Sequence, residues 1–245
     1  MIAKILKLSM GLGSFFYTFT VLCRLMKFLS SPQESKESDE FNAGLISKTL
    51  WTLFMNTALL SVFILQHSLM AAKSVKDLYH RLNLDDLERS IYNACSAGAL
   101  HFVISHWQTI TWAYIWDFKA LQNDKIWYTT MAFQSFGWLI IYVGCVTMDI
   151  LDLAGLKQIF YKISGRPRPM SLKSLGFQRY ISHMRHPSFI GFISILWFFP
   201  LMSIDRLLMA SLLTIYMALM WSIDEDDYNY HSMTIWKKQR GYKYY

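Results

Sequence analysis

Long apolar runs are the feature of this sequence that most limits what it can fold into. Hydrophobic residues make up 53% of the 245 residues and charged residues only 17%, against roughly 25% charged in soluble domains. The charges are clustered, which leaves runs long enough for helices that cross a bilayer. Inside a bilayer only helices and closed barrels satisfy the backbone, and continuous apolarity selects helices. The sequence therefore predicts an all-α, polytopic membrane protein.

The apolar runs predict six transmembrane helices within a single transmembrane domain that covers residues 1–245. They lie at about 8–29, 49–72, 90–115, 127–152, 187–203 and 206–223. Only Ile204 and Asp205 separate the last two, so we expect a short helical hairpin there. Residues 153–186 form an inner loop, and residues 224–245 form a polar inside tail.

The inner loop is predicted to contain an interfacial amphipathic helix over residues 172–185. The preceding Gly165-Arg166-Pro167-Arg168-Pro169 must break any helix. After this break, apolar side chains are interleaved with basic ones, as is typical of a helix that lies on a membrane surface. These side chains are Leu172, Lys173, Leu175, Arg179, Tyr180, Ile181, His183, Met184 and Arg185. The alternative is an ordinary polar loop with scattered apolar residues.

Positive charge predicts the orientation of the spans. The amino end, the second and fourth loops and the carboxyl tail hold 17 Lys and Arg residues, whereas the other three loops hold 6. Because cytoplasmic segments are enriched in Lys and Arg, six spans place both termini in the cytosol or nucleoplasm. The net charge of +7 then reflects inner loops beside the lipid bilayer, and we expect no direct nucleic-acid partner.

The densest set of candidate functional residues is Arg185-His186-Pro187-Ser188-Phe189-Ile190-Gly191. Proline suits the first turn of a helix, so Arg185 and His186 would stand just before the positive end of the fifth helix, where an anion binds. Gly191 leaves room for a ligand or a neighbouring helix. The alternative is simpler: basic residues at an inner boundary follow the positive-inside rule, and Pro187 merely starts the helix.

This Arg-His-Pro-x-Phe-x-Gly stretch, the short hairpin and the acidic cluster at 224–227 resemble the carboxyl half of isoprenylcysteine carboxyl methyltransferases. These are membrane enzymes that use S-adenosylmethionine. The chain is more similar to the nurim family, multi-pass proteins of the inner nuclear membrane that are related to the same superfamily. This second resemblance covers roughly residues 50–230. It is carried by the stretches at 66–72, 89–95, 155–161, 182–187 and 205–210.

The methyltransferase resemblance implies a site for S-adenosylmethionine. Its candidate residues in this sequence are Arg185, His186, Pro187, Phe189, Gly191, Asp226 and Asp227. The two aspartates stand where the enzymes have paired glutamates, but Ser222 stands where an arginine is expected. A serine cannot reproduce the bidentate recognition of a guanidinium group. We therefore expect no catalytic residue, and weak cofactor binding or none.

Three functions follow from these resemblances as hypotheses. The first is a structural or interaction role at the inner nuclear membrane, with nuclear-envelope or lamina partners. The second is an S-adenosylmethionine-dependent membrane methyltransferase that acts on a lipophilic substrate. The third is a non-catalytic protein that keeps the enzyme fold and binds a lipid or small ligand.

Other polar residues in the predicted spans have structural and functional interpretations. His67, His101 and His106 could mark a functional site, or could hydrogen-bond a neighbouring helix at the interface. Asp149 and Asp152 would share one face of the fourth helix and could pair with Arg179 or Arg185. No metal site is expected, because the histidines and acidic residues near the carboxyl terminus lack paired ligand spacing.

Overall fold

The structure is a computed structural model that describes residues 2–31, 43–178, 188–219 and 225–241, without the side chains of Leu121 and of residues 225–227. Helices make up about 81% of the described residues, which confirms the helical class. The helices are α1 Ile2–Ser30, α2 Ala43–Ala71, α3 Lys73–Arg81, α4 Glu88–His106, α5 Asp124–Thr147, α6 Ile150–Leu153, α7 Leu156–Ile163, α8 Phe189–Trp197, α9 Ile204–Leu219 and α10 Glu225–Gly241. The strands are β1 Tyr114–Asp117 and β2 Leu201–Ser203, and two 3₁₀ turns lie at Ala120–Gln122 and Pro169–Leu172.

Three of the described helices, α1, α2 and α5, are long and apolar enough to cross a membrane. Their apolar side chains point outwards as well as inwards: Phe54 and Leu65 of α2 are 63% and 68% exposed. Such surfaces are stable beside hydrocarbon, so the protein is a membrane protein. The nine residues of α8 and sixteen of α9 reach only about 13 and 24 Å at 1.5 Å per residue. The count of six spans therefore stays a prediction.

The helices pack in a bundle around a small apolar core. Helix α1 packs on α4, α5 packs on α8, and α2 packs on both α4 and α9. The fully buried core side chains come from four of these helices and are Leu29, Leu60, Ile195, Leu196 and Ala210. One face of each helix is thus used for packing, and the other is left for lipid.

One end of the bundle, here called the sheet end, is closed by the antiparallel pair β1–β2. The structure differs here from the predicted third span and from the predicted hairpin. Helix α4 ends at His106, and α8 ends at Trp197 before an extended segment that leads into β2. Pro200 disfavours a continuous helix because it has no N–H to donate and crowds the preceding turn. Its carbonyl instead accepts a hydrogen bond from Phe118 N at 3.0 Å.

The opposite end, here called the α7 end, is built from α3, α6 and α7. Helix α5 ends at Thr147, and Asp149 has a φ of 75°, so the chain turns before the end of the predicted fourth span. The predicted surface helix is described only in part. A 3₁₀ turn and a short helical stretch at 175–178 are present, and residues 179–185 lie outside the described residues.

Candidate functional site

Most of the predicted cofactor site lies outside the part of the chain that the structure describes. This applies to Arg185, His186 and Pro187, and also to the side chains of Asp226 and Asp227. The two remaining residues are in α8. Phe189 is its first residue and packs, half-buried, against the apolar core.

Gly191 is occupied by a helix contact. A Cβ added at Gly191 would lie 2.6 Å from the carbonyl oxygen of Gly137 in α5, and one added at Gly137 would lie 2.8 Å from the carbonyl oxygen of Gly191. Real Cβ atoms do not approach backbone atoms this closely. The two glycines therefore allow α5 and α8 to touch along their backbones, as small residues do between membrane helices. Of the two uses that the sequence allowed for Gly191, the structure favours a neighbouring helix over a ligand.

A polar cluster near the α7 end joins α2, α4 and α9. Tyr92 Oη lies 2.7 Å from His67 Nε2, and Ser96 Oγ lies 3.2 Å from His67 Nδ1. Ser68 Oγ lies 3.1 Å from Tyr216 Oη, whose ring meets the His67 ring edge to face. His67 is thus bonded to a neighbouring helix, the structural interpretation of this residue. The cluster could still present hydroxyl and imidazole groups to a polar ligand.

The side-chain amide of Gln66, beside this cluster in sequence, is buried. Its Nε2 and Oε1 have no hydrogen-bond partner among the described residues. An unsatisfied buried amide costs about 1–3 kcal/mol. This cost would disappear if a group outside the described residues formed hydrogen bonds with the Gln66 amide.

Asp205 lies buried at the sheet end, although the sequence places it in a two-residue turn. Its side chain is 1% exposed. Oδ2 accepts a hydrogen bond from Trp107 Nε1 at 2.9 Å, and Oδ1 accepts one from Ile110 N at 3.1 Å. The carboxylate therefore holds the non-helical segment after α4 against the start of α9.

Arg206 is also buried, at 2% exposure. Its Nη2 donates to Leu29 O at 2.8 Å and to Ile195 O at 3.3 Å, and its guanidinium lies 3.3 Å from the ring centroid of Phe199. These contacts tie the end of α1 to α8 and α9. Sequence reasoning counted Arg206 as an outer-loop charge. The available signal was two adjacent ionisable residues at the mouth of an apolar helix, a pattern that favours the bundle interior.

Two further buried amides bind backbone groups at the sheet end. Asn56 Nδ2 donates to Gln108 O at 2.7 Å, and Gln108 N donates to Asn56 Oδ1 at 3.0 Å. Gln134 Nε2 donates to Ile195 O at 2.9 Å. Each amide takes the place of a backbone hydrogen-bond partner that a regular helix would have supplied. The non-helical segments of the chain are therefore stable inside the bundle.

Asp149 and Asp152 form an ionic layer at the α7 end, but not on the fourth helix as predicted. Asp152 is buried and accepts hydrogen bonds from Lys173 Nζ at 2.5 Å and Gln158 Nε2 at 2.7 Å. Asp149 pairs with Lys157, and this hydrogen bond holds the pKa of Asp149 below its ordinary value. The predicted partners Arg179 and Arg185 lie outside the described residues.

The remaining histidines of the predicted third span lie on the surface of α4. His101 Nε2 lies 2.7 Å from Arg24 Nη1, and His106 Nδ1 lies 3.0 Å from the carbonyl oxygen of Phe102. Within the described ranges no three His, Cys, Asp or Glu side chains lie close enough together to hold a metal ion.

Comparison with known proteins gives a consistent set of relatives. "Nurim homolog" of Drosophila pseudoobscura pseudoobscura is 33% identical over 98% of this chain and 98% of its own length. The Drosophila melanogaster homologue is 34% identical over 97% of this chain and 96% of its own length. "Nurim" of Homo sapiens is 34% identical over 91% of this chain and 86% of its own length. No protein-family model and no solved structure matches the chain.

Proposed function

The chain belongs to the nurim family, and we propose that it is a multi-pass protein of the inner nuclear membrane with a structural or interaction role at the nuclear envelope. Both termini face the cytosol or nucleoplasm in this proposal. The arrangement of the described chain is compatible with it. Helix α1 begins at the α7 end, where Lys7 pairs with Asp86, and α9 also ends there, where Tyr216 meets Ser68.

The observation that carries the proposal is how the buried polar side chains at the sheet end are used. Asp205, Arg206, Asn56 and Gln134 all bind backbone groups of other segments. A catalytic acid, base or nucleophile needs a reactive atom that faces the substrate. These side chains instead use their hydrogen bonds to hold one chain arrangement, with only Arg206 Nε unpaired among the described residues, which suits a rigid scaffold that presents its surfaces to partners.

We place the two alternative functions second. A membrane methyltransferase, or a lipid- or ligand-binding protein derived from one, rests on the resemblance at 185–191 and 226–227. In the described part of that stretch, the space at Gly191 is taken by α5. Ser222 also stands where the enzymes carry an arginine.

Fluorescence recovery after photobleaching tests the proposed role in cells. A fluorescent fusion of the full chain should concentrate at the nuclear rim and recover slowly, because an envelope partner retains it. A membrane marker that diffuses freely in the endoplasmic reticulum is the control. Recovery as fast and as complete as that of the marker would overturn the proposed interaction role.

Cofactor binding tests the enzyme alternative separately. We expect purified full-length protein in lipid nanodiscs to show no saturable binding of S-adenosylmethionine by calorimetry. Micromolar binding that is abolished in Arg185→Ala, but kept in the sheet-end variant Lys119→Ala, would replace the scaffold proposal with the methyltransferase. Transfer of a labelled methyl group to a lipophilic acceptor would then distinguish catalysis from ligand binding.

A further inference from the structure

Two groups of cations at the α7 end differ in their partners. Lys7, Lys157 and Lys173 each pair with a carboxylate: Lys7 Nζ lies 2.9 Å from Asp86, and the other two bind the Asp149 and Asp152 side chains. The first pair joins α1 to the segment before α4. The other two pairs join Asp149 and Asp152 to the chain that follows them. Their positive charge is thereby neutralised within the protein.

A second group, here called the basic cluster, consists of Lys4, Lys162, Arg166 and Arg168. All four are exposed, and within the described residues none lies within salt-bridge distance of a carboxylate. Lys4 Nζ lies 3.5 Å from Ile163 O, which places this cation at the carboxyl end of α7 beside the other three. Such a site has positive charge in excess.

Asp85 is a carboxylate close enough to the basic cluster to feel the charges of Arg168 and Lys162, and it is already paired. Its Oδ1 lies 3.0 Å from Nδ1 of His80. Burial raises the pKa of Asp85, but the bond to His80 and the charges of Arg168 and Lys162 outweigh this effect and lower it. The two cations thus act on Asp85 only through space. Lys162 Nζ lies 3.5 Å from the neutral Asn83 Oδ1, so within the described residues no carboxylate neutralises either cation.

Apolar surface lies directly beside these cations. Phe160 is 52% exposed, and the guanidinium of Arg166 lies 5.8 Å from its ring centroid. On the other side of α7, Ile159 is fully buried, and its Cδ1 would lie 2.4 Å from a Cβ added at Gly11 of α1. Helix α1 is long and apolar enough to cross a membrane, and a spanning α1 would hold α7 at the edge of the bilayer through this contact. The outward face of α7 therefore offers cations and an aromatic ring at interfacial depth.

We propose that the basic cluster binds the phosphate group of an anionic phospholipid from the adjacent leaflet, with an acyl chain beside Phe160. Clustered Lys and Arg residues next to a membrane attract acidic headgroups, and guanidinium groups match phosphate in bidentate geometry. The same charges would attract a nucleic acid. We favour a lipid because α7 packs against α1, so that the basic cluster lies beside the bilayer. This inference rests on the membrane character of the protein and is independent of the proposed role at the nuclear envelope.

The test measures headgroup selectivity on the purified full chain in neutral detergent. Fluorescence polarisation gives the Kd of a fluorescent phosphatidylserine and of the matching phosphatidylcholine. We expect tighter binding of phosphatidylserine. The double variant Arg166→Gln/Arg168→Gln should weaken it about thirtyfold, since each basic residue near an anionic surface contributes about 1 kcal/mol. The matched control Lys119→Gln/Lys125→Gln removes two exposed cations from the sheet end and should leave the Kd unchanged.

Several results would overturn the proposal. Equal affinity for the two lipids, or equal losses in the two double variants, would mean that no headgroup site exists at the basic cluster. Competition by inorganic phosphate as strong as by phosphatidylserine would indicate a free-anion site, and stronger competition by an oligonucleotide would indicate a nucleic-acid surface. If the arginine variant unfolds, Lys162→Gln serves in its place, with an expected loss of about fivefold for one cation.

Discussion

Replacing Asp205 by alanine should destabilise the protein more than any charge removal on its surface. The carboxylate is fully buried and accepts hydrogen bonds from Trp107 Nε1 and Ile110 N at 2.9 and 3.1 Å. Its loss leaves two buried donors without an acceptor, at about 1–3 kcal/mol each. It also removes the negative charge next to the buried guanidinium of Arg206. We expect the free energy of unfolding to fall by about 2–6 kcal/mol, the sum for the two buried donors that lose their acceptor.

The assay is thermal unfolding of the purified chain in lipid nanodiscs, followed by circular dichroism. The matched control is Asp124→Ala, which removes an exposed carboxylate from the same end of the bundle. This control should cost no more than about 1 kcal/mol, the value of one charge at a helix terminus. A double-mutant cycle of Asp205→Ala with Trp107→Phe then isolates the indole hydrogen bond. A coupling energy of about 1.5–3 kcal/mol is expected for a bond to a charged group.

Equal melting temperatures for Asp205→Ala and Asp124→Ala would refute this reasoning. Water would then reach Asp205 and replace its protein partners. A coupling energy near zero in the cycle would refute the Trp107 contact alone, and would leave the bond from Ile110 as the main contribution of the carboxylate.

Three further predictions concern helix packing, topology and pH. Gly191→Ala should lower stability by about 1–3 kcal/mol, because the added methyl group meets the Gly137 carbonyl; an unchanged melting temperature would contradict the contact between α5 and α8. Protease-accessible tags at both termini should be cleaved in sealed microsomes while a tag in the loop 30–48 is protected, and termini on opposite faces would mean a wrong count of spans. Asp149→Asn should destabilise fully at neutral pH and progressively less as the pH falls below the ordinary carboxyl pKa of about 4, because the bond from Lys157 lowers the pKa of Asp149. This stability contribution is present above the ordinary pKa and disappears as the pH falls through the lowered one; a pH-independent cost would deny the pair.

The sequence alone determined the class of this protein. Apolar runs longer than a soluble core can bury predict membrane helices, because backbone groups in hydrocarbon must bond within their own segment. The three long apolar helices of the structure overlap the predicted first, second and fourth spans, although each begins before the predicted start. Helix ends were predicted less well. Asp149 turns the chain before the predicted end of the fourth span, and β2 replaces the predicted end of the fifth.

The tertiary structure decided what the ionisable residues do. The sequence places Asp205 in a two-residue turn and Arg206 at the start of the sixth span, because their neighbours in sequence are apolar. Their actual partners are far away in the chain: Trp107 lies 98 positions from Asp205, and Leu29 lies 177 positions from Arg206. Hydropathy and helical periodicity depend on neighbours within a few turns, so they carry no information about such pairs. Only the packing of α1, α8 and the segment after α4 against α9 brings these hydrogen-bonding groups next to the two side chains, and the cost of leaving the groups unpaired keeps both charges inside.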